Sequence, residues 1–225
     1  MEQEITIAID GPAAAGKSTV ARLVAEKLSY IYIDTGAMYR ALTLKALQKR
    51  IDLDEEKPLA DLLMHTEITL EQKGEGQIVL LDGNDVTWEI RSQKVTSHVS
   101  YAAKHPAIRK EMVERQRALA ARSGVVMDGR DIGTHVLPDA EVKIFLVASV
   151  EERAKRRYEE NLQKGFYPDM EELKREIEER DRIDSEREAA PLIKAADATE
   201  IDTTSLSINE VAQQILNQAA TLTNG

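Results

Sequence analysis

A strand pattern that runs directly into a glycine-rich loop and then into a helix is the feature that most constrains this chain. Residues 5–9 show the alternating, β-branched pattern of a strand, and Gly11-Pro-Ala-Ala-Ala-Gly-Lys-Ser18 follows, which fits G-x-x-x-x-G-K-[ST]. A helical pattern of apolar residues continues to Leu28. In such a loop, successive backbone N–H groups and a helix N-terminus face a polyphosphate. The sequence therefore predicts a nucleoside triphosphate site at the end of a strand.

The residues of this loop have separate expected tasks. Gly11 and Gly16 permit backbone conformations and close approaches that a Cβ would block. Lys17 supplies a positive charge for the β- and γ-phosphates, and Ser18 offers a hydroxyl to Mg²⁺. The predicted ATP-binding residues are Gly11, Pro12, Ala13, Ala14, Ala15, Gly16, Lys17, Ser18 and Thr19, with Ser18 as the metal ligand.

The remaining patterns predict a parallel sheet that is covered by helices on both faces. Short strand patterns occur at residues 30–33, 124–127, 142–147 and 199–202, and helical patterns separate them. Five short strands that alternate with helices are typical of a doubly wound α/β sheet. We therefore predict a five-stranded parallel sheet that carries the phosphate loop after its first strand.

Two segments interrupt this alternation. Residues 52–89 contain a short helical pattern and then two strand patterns, 67–72 and 77–81, with turn residues at 73–76, which predicts a small antiparallel insert. Residues 151–188 are dense in charge and are broken by Gly165-Phe-Tyr-Pro168, which predicts two helices with a mobile tip. A lid is one interpretation of this segment, and a pair of solvated helices is the other.

Composition argues against several classes of protein. The chain has 225 residues, and 30 Lys and Arg against 40 Asp and Glu give a net charge of −10, which argues against a nucleic-acid coat or a basic membrane patch. There is no cysteine, so disulfides and thiol nucleophiles are excluded. No apolar run reaches about 18 residues, and residues 1–4 lack a signal-peptide pattern. We expect a cytoplasmic monomer that binds small molecules and neither nucleic acid nor membrane.

Three polar clusters could build a second binding site beside the loop. The segment from Asp34 to Arg40 and the segment from Asp128 to Gly133 each follow a predicted strand, where open α/β sheets bind ligands. Arg180, Asp184 and Arg187 recur at helical spacing. Each cluster alone could be a helix cap or a solvated surface. Together with the phosphate loop they favour a small-molecule kinase, and the strings Asn-Lys-x-Asp and Asp-x-x-Gly of GTPases are absent.

Four motifs in this order resemble those of bacterial cytidylate kinases, and the resemblance covers nearly the whole chain. They are Gly11-Pro-Ala-Ala-Ala-Gly-Lys-Ser18, Ile33-Asp-Thr-Gly-Ala-Met-Tyr-Arg40, Met127-Asp-Gly-Arg-Asp-Ile-Gly-Thr134 and Arg180-Asp-Arg-Ile-Asp184. The resemblance implies transfer of the γ-phosphoryl group of ATP to CMP or dCMP, with Mg²⁺, on an adenylate-kinase-like fold. It implies one unit, 1–225, with a core (1–51, 90–150 and 188–225), a monophosphate-binding insert (about 52–89) and a lid (about 151–187).

The resemblance also implies a task for each matched residue. Cytosine would be read by Ser100, Arg109 and Asp131, the phosphate of CMP would be bound by Thr35, Tyr39, Arg40 and Arg130, and the sugar would contact Arg180 and Asp184. The predicted catalytic residues are Lys17, Asp128, Arg130 and Arg187, and the lid candidates for phosphate contact are Arg153, Arg156 and Arg157. Thr35 stands where family members often have Ser, and it keeps the hydroxyl.

Two alternatives remain open at this stage. The acceptor could be another small molecule, such as UMP, AMP or a hydroxyl-bearing metabolite. A hydroxyl acceptor would require a general base, for which Asp34 or Asp128 could serve. The chain could also be a nucleotide-dependent switch with no acceptor, although the arginines expected at the sheet edge argue against it.

Overall fold

The computed structural model describes residues 4–73, 76–121, 124–163 and 165–223. Within these ranges the helices and strands follow one another closely. In chain order they are β1 (Thr6–Asp10), α1 (Lys17–Leu28), β2 (Ile31–Asp34), α2 (Thr35–Gln48), α3 (Glu56–Met64), β3 (Ile68–Lys73), β4 (Gly76–Leu81), β5 (Asn84–Asp85), α4 (Gln93–Ala103), α5 (Pro106–Leu119), β6 (Val125–Asp128), β7 (Val142–Val147), α6 (Val150–Gln163), α7 (Met170–Glu186), β8 (Thr199–Asp202) and α8 (Ile208–Thr223).

The central sheet has five parallel strands in the order β2-β6-β1-β7-β8. This confirms the predicted doubly wound α/β sheet, with strand bounds that differ from the predicted ones by a residue at most. Asp34 and Ile9 are both register partners of Asp128. The carboxyl ends of β1, β2 and β6 therefore meet at one edge of the sheet, and Asp10, Asp34 and Asp128 end these strands.

Helices cover both faces of the sheet because each helix carries an apolar stripe. On one face α1 and α8 pack against β1 and β7 through fully buried side chains such as Val24, Ile144 and Ile215. On the other face, Val113 and Leu119 of α5 pack against strand residues such as Met127, and a further cluster that includes Leu42 and Ile108 joins α2, α3, α4 and α5. Each fully buried aliphatic side chain contributes roughly 1.5–3 kcal/mol to the stability of the fold.

The insert is a three-stranded antiparallel sheet, β3-β4-β5, that lies against the edge strand β2. Gln72 and Gln77 are cross-strand partners, and both Nε2 atoms donate to the carbonyl of Tyr32 over 2.6 Å. Asp34 N donates to Gln77 Oε1 over 3.4 Å. Two glutamine side chains thus supply hydrogen bonds that a neighbouring strand would give to an edge. The predicted turn residues Gly74 and Glu75 lie outside the described residues.

The charged segment forms two helices, as predicted. α6 and α7 pack through Ala154, Leu173 and Ile177. Asp169 begins α7 as its N-cap and accepts a 2.9 Å hydrogen bond from Glu172 N. The helical spacing of Arg187 had suggested that it lies within this helix. Instead, α7 ends at Glu186 and Arg187 is the residue just past its end.

Three short elements were not predicted: β5, a 3₁₀ turn at Glu89–Arg91 and a π-helical turn at Ile132–Val136. The π-helical turn follows β6 directly and carries part of the second predicted cluster. In the described parts of the chain, no helix is both long enough and apolar enough to cross a membrane.

Candidate active site

The glycine-rich loop connects β1 to α1 and adopts a conformation that depends on its glycines. Gly11 has φ 146°, and a Cβ at this position would lie 2.2 Å from the carbonyl oxygen of Leu146 in β7. Gly16 has φ 89° and is the N-cap of α1. Both values lie in the region that side chains other than hydrogen disfavour. The two glycines therefore allow the loop to pass close to β7 and to lead into α1.

The first turn of α1 carries the two side chains that the loop motif requires. Lys17 is buried, and its Nζ donates to the carbonyl of Pro12 over 2.7 Å, so that its charge is held at the loop. Burial, with a contribution from Arg130, lowers the pKa of Lys17 well below its ordinary value. Ser18 Oγ donates to Asp128 Oδ2 over 2.9 Å, which connects α1 to the end of β6.

Asp128 is a buried carboxylate at the centre of this edge. Tyr32 donates its hydroxyl hydrogen to Asp128 Oδ1 over 2.8 Å. Burial raises the pKa of Asp128 to about 6, and the neighbouring charge of Asp34 adds to this effect. Its backbone carbonyl accepts a 2.7 Å hydrogen bond from Thr35 Oγ1, which fixes the start of α2 beside β6.

Helices α6 and α7 contact the glycine-rich loop at Ala13. Arg153 Nη1 donates to the carbonyl of Ala13 over 3.1 Å and pairs with Asp181 Oδ2 at 2.5 Å. The N–H of Ala13 donates to Asp181 Oδ1 over 3.3 Å. Arg153 therefore contacts the loop backbone and does not line the cleft, although its position in the sequence had made it a candidate for phosphate contact.

The other two arginines of α6 that were candidates for phosphate contact, Arg156 and Arg157, both line the cleft. Arg156 donates to the Oγ1 and the carbonyl oxygen of Thr203, at 3.0 and 2.6 Å, beyond the end of β8. Among the described residues the buried Nε of Arg157 has no hydrogen-bond partner, and it lies 3.8 Å from Glu160 Oε2. Arg157 therefore lines the cleft with a donor that no described residue uses.

Asp34 organises the start of α2. Its Oδ1 accepts from Ala37 N over 2.8 Å, as expected for an N-cap, and its Oδ2 pairs with Arg40 at 2.9 Å. Burial alone would raise the pKa of Asp34, but Arg40 and Arg91 hold it below its ordinary value. Arg91 approaches Asp34 Oδ2 to 3.9 Å and lines the cleft, and the sequence analysis missed it. Its only signal was a basic residue directly after the insert.

Arginines and aspartates interlock at the opposite wall. Arg109 donates to Asp131 Oδ2 in a buried ion pair, and Arg187 lies 3.6 Å from Asp131 Oδ1. The guanidinium of Arg109 also lies over the ring of Tyr39, 5.4 Å from its centroid. Asp131 is therefore held between two cations in a position where it can also accept from a ligand.

Asp184 in α7 is the second anchor of this wall. Arg130 Nε donates to Asp184 Oδ2 over 2.9 Å, and Arg187 and Arg180 approach the same carboxylate to 3.7 and 3.9 Å. Burial alone would raise the pKa of Asp184, but Arg130 and Arg180 lower it. Burial, with a contribution from Arg130, also lowers the pKa of Arg180 to about 9.

One cleft of about 920 Å³ brings these groups together. Gly11, Pro12 and Ala13, the first three residues of the loop, do not line the cleft. Every other predicted binding or catalytic residue does: Ala14, Ala15, Gly16, Lys17, Ser18, Thr19, Thr35, Tyr39, Arg40, Ser100, Arg109, Asp128, Arg130, Asp131, Arg180, Asp184 and Arg187.

The chemistry of this lining suits two anionic ligands that meet end to end. The glycine-rich loop and Lys17 form one end, and the arginines of α2, α5 and α7 form the other. Among the described residues no group of three His, Asp or Glu side chains could hold a metal ion alone. Ser18 and Asp128 offer adjacent hard oxygen donors, a set that suits Mg²⁺ shared with phosphate oxygens.

Comparisons with known proteins agree with this geometry. A family model described as "Cytidylate kinase" matches residues 7–221. The chain is 66% identical over 216 residues to a protein named "Cytidylate kinase" from Geobacillus kaustophilus (strain HTA426), and 65% identical over 216 residues to one of the same name from Bacillus subtilis (strain 168); each match covers 96% of both chains. A solved structure of an uncharacterized protein from Eubacterium ventriosum shares the fold, with a TM-score of 0.51, 14% identity and coverage of 97% of this chain and 99% of that one.

Proposed function

The chain belongs to the cytidylate kinase family, and from this premise we propose which of its residues bind each nucleotide and transfer the phosphoryl group. The protein transfers the γ-phosphoryl group of ATP to CMP or dCMP, which gives ADP and CDP or dCDP. One observation supports this assignment of residues above the others. The phosphate loop lines the same cleft as Asp131 and its partners Arg109 and Arg187.

ATP binds at the glycine-rich loop in this proposal. The backbone N–H groups of residues 14–18 and the N-terminus of α1 face its phosphates, and Lys17 follows the charge of the γ-phosphate. Arg157 contributes a further guanidinium from the lid. Mg²⁺ would be held by Ser18 and Asp128, whose oxygens lie 2.9 Å apart. When bound, it neutralises charge on the phosphate oxygens.

CMP binds between α2, α5 and α7. Asp131 accepts from the exocyclic amino group of cytosine, Arg109 donates to the ring carbonyl or ring nitrogen, and Ser100 completes this set. The residues proposed for the phosphate are Thr35, Tyr39, Arg40 and Arg130, and those proposed for the sugar are Arg180 and Asp184. Uracil carries a carbonyl where cytosine carries the amino group, so Asp131 disfavours UMP.

The reaction requires no nucleophilic side chain. A phosphate oxygen of CMP is already anionic and attacks the γ-phosphorus in line, while the bond to ADP breaks. Lys17, Arg130 and Arg187 stabilise the charge that is shared among the transferring oxygens. The lid (151–187) excludes water, which would otherwise accept the phosphoryl group. A hydroxyl acceptor would in contrast require a base, and Asp34 is committed to capping α2 and to Arg40.

A coupled assay of ADP release tests this proposal. ATP with Mg²⁺ is supplied with CMP, dCMP, UMP or AMP in turn. We expect turnover that depends on CMP or dCMP and is at least about tenfold lower in kcat/KM with UMP. ATP hydrolysis that is independent of any acceptor would favour a nucleotide-dependent switch. Turnover with AMP or UMP at the level of CMP would contradict the base assignment.

The same proposal covers the organisation of the chain. Residues 1–225 form one kinase unit, with the insert (about 52–89) supporting the monophosphate site and the helices of 151–187 acting as the lid. The net charge of −10 favours a monomer through repulsion between copies. The nucleotide substrates suit a cytoplasmic enzyme. Light scattering of the purified protein tests the monomer.

A further inference from the structure

Asp10 is a buried carboxylate that takes no direct part in the proposed reaction. It is the last residue of β1, directly before Gly11, and it is 5% exposed. It is not among the residues that line the cleft in which both nucleotides are proposed to bind. Burial of a carboxylate costs free energy of folding unless its oxygens are hydrogen-bonded or paired with a charge. The hydrogen-bond partners of Asp10 indicate its role.

Both oxygens of Asp10 accept backbone hydrogen bonds from the π-helical turn. Ile132 N donates to Oδ1 over 2.8 Å, and Gly133 N donates to Oδ2 over 2.7 Å. Gly129 N also donates to the carbonyl of Ile9 over 3.0 Å. The segment from Gly129 to Gly133 is therefore docked on the end of β1 at three points. Asp131 lies inside this docked segment.

Asp131 is the N-cap of the π-helical turn, yet its own side chain makes no capping hydrogen bond. An aspartate at an N-cap ordinarily accepts from the N–H groups of the turn that it begins. Here the N–H groups of Ile132 and Gly133 donate instead to Asp10, at the end of β1. The carboxylate of Asp131 is consequently free to face Arg109 and Arg187 at the cleft.

We propose that Asp10 is a positioning residue for base recognition, because it caps the π-helical turn in place of Asp131 and so leaves the Asp131 carboxylate available to the cytosine amino group. This inference rests on the proposed function. It also connects the base pocket to the phosphate loop, since Asp10 is covalently joined to Gly11.

Replacement of Asp10 by asparagine gives the direct test. Asparagine keeps the shape but offers one acceptor oxygen, so one N–H of the turn loses its partner and competes for the Asp131 carboxylate. We expect Asp10→Asn to narrow the ratio of kcat/KM for CMP to that for UMP by roughly tenfold, because a charged hydrogen bond to the base is weakened. The KM for ATP should stay within about twofold of wild type, since the loop backbone is unchanged. Asp139→Asn, an exposed aspartate after the same turn, is the matched control.

A double-mutant cycle separates positioning from a general structural effect. If Asp10 acts through Asp131, Asp10→Asn should leave the CMP/UMP ratio unchanged in an Asp131→Asn background. Equal loss of activity on CMP and UMP, or an additive effect on the ratio in the double variant, would overturn the inference. Kinetics are measured at pH 8, because burial raises the pKa of Asp10 to about 7 and both oxygens must accept.

Two further outcomes are assigned in advance. If Asp10→Asn does not fold, Asp10→Glu keeps the charge but moves the carboxylate by one methylene, so it shifts the same two hydrogen bonds and should narrow the CMP/UMP ratio in the same direction; an unchanged ratio would contradict the inference. If the wild-type protein itself does not prefer CMP to UMP, the proposed function fails. If the wild type prefers CMP and Asp10→Asn keeps that preference, only the role of Asp10 fails.

Discussion

The hydroxyl of Ser18 donates a 2.9 Å hydrogen bond to Oδ2 of Asp128, which joins the first turn of α1 to the carboxyl end of β6. The other oxygen of Asp128 is occupied by the hydroxyl of Tyr32 at 2.8 Å, so the carboxylate cannot rotate freely. Two oxygen donors are thereby held side by side where the glycine-rich loop ends. This relationship makes Asp128 a specific test of the Mg²⁺ proposal.

Asp128→Asn should raise the Mg²⁺ requirement of the enzyme. An amide oxygen is neutral and binds Mg²⁺ more weakly than a carboxylate does, so we expect the concentration for half-maximal activity to rise by about 10–100-fold. Activity is titrated with Mg²⁺ at saturating ATP and CMP. Asp139→Asn serves as the control and should titrate as the wild type does. An unaltered Mg²⁺ requirement in Asp128→Asn would remove this residue from the metal site.

Lys17→Ala should abolish turnover while the fold survives. Lys17 supplies the charge that follows the transferring phosphoryl group, and its loss should lower kcat by about 10³-fold or more. The Lys27→Ala variant, an exposed lysine on the same helix, should keep wild-type activity. Circular dichroism of both variants checks the fold. Near-normal turnover in Lys17→Ala would show that the loop does not bind the reacting phosphates.

Much of this architecture was predictable because the long elements carry periodic apolar patterns. The structure reproduces β7 and β8 with the predicted bounds, and α1 ends at Leu28, as its apolar pattern predicted. The π-helical turn at Ile132–Val136 was missed because nothing local requires it. It is held by Asp10, which is 122 residues away from Ile132 in sequence.

The site was predictable to the same degree and for a related reason. The glycine-rich loop and the segments 34–40 and 128–133 follow strands whose carboxyl ends converge, so their meeting at one cleft was predictable from the pattern. The helical residues Ser100 and Arg109 were expected there only through the family resemblance. The place of Arg153 was not predicted. It lies in a charge-dense segment whose pattern favours solvated helices, yet it is buried against Asp181 and the Ala13 backbone. Such pairing depends on how α6 and α7 pack on the loop, which no local pattern specifies.

Asp181→Asn should loosen the phosphate loop. The substitution removes the charge that holds Arg153 and weakens the acceptor for Ala13 N, so the loop loses its contacts with α6 and α7 at Ala13. We expect the KM for ATP to rise by about 5–50-fold, with a smaller change in the KM for CMP. Amide hydrogen exchange in residues 11–16 should become faster.

Glu179→Gln provides the matched control for this prediction. Glu179 lies on the same helix, is exposed and pairs with Arg182 at 2.8 Å. Its substitution therefore removes a comparable ion pair that does not contact the loop. Its exchange pattern and KM for ATP should equal those of the wild type. Equal effects in the two variants would mean that the charge of α7, and not its contact with Ala13, matters.

The stability of the protein should depend on the titration of Asp10. Burial raises its pKa from an ordinary 3.8 to about 7; Gly133 N and Ile132 N oppose this rise, and the charge of Asp131 adds to it while Lys17 opposes it. The folded chain therefore favours the protonated form. This contribution to stability is intact below pH 3.8 and is lost as the pH rises through 7.

Asp10→Asn cannot titrate, so its free energy of unfolding should lack this contribution to the pH dependence. Between pH 4 and pH 8 the free energy of unfolding of the wild type should fall, relative to that of the variant, by on the order of 3–4 kcal/mol. The prediction concerns this change and not the difference in stability at any single pH. Urea denaturation at each pH measures it. A constant difference would show that Asp10 keeps one protonation state throughout this range.

Asp131→Asn should change which base the enzyme accepts. Asp131 is 4% exposed and lies between Arg109 and Arg187, so a uracil carbonyl placed against it brings two acceptors together in a poorly solvated pocket. This mismatch costs roughly 2–4 kcal/mol, which corresponds to about 30-fold to nearly 1000-fold in kcat/KM. An asparagine can turn its amide nitrogen toward that carbonyl with little steric change.

We therefore expect Asp131→Asn to lose activity on CMP and to narrow the CMP/UMP ratio by at least about tenfold. Part of the loss will fall on both substrates, because Arg109 keeps its charge without its closest partner. The ratio, and not the absolute rate, therefore isolates base reading. Measuring kcat/KM for CMP and UMP in wild type, Asp131→Asn and Asp139→Asn decides the matter. If Asp131→Asn keeps the wild-type ratio, the base is read elsewhere in the cleft and the cytosine pocket proposed between Ser100, Arg109 and Asp131 is wrong.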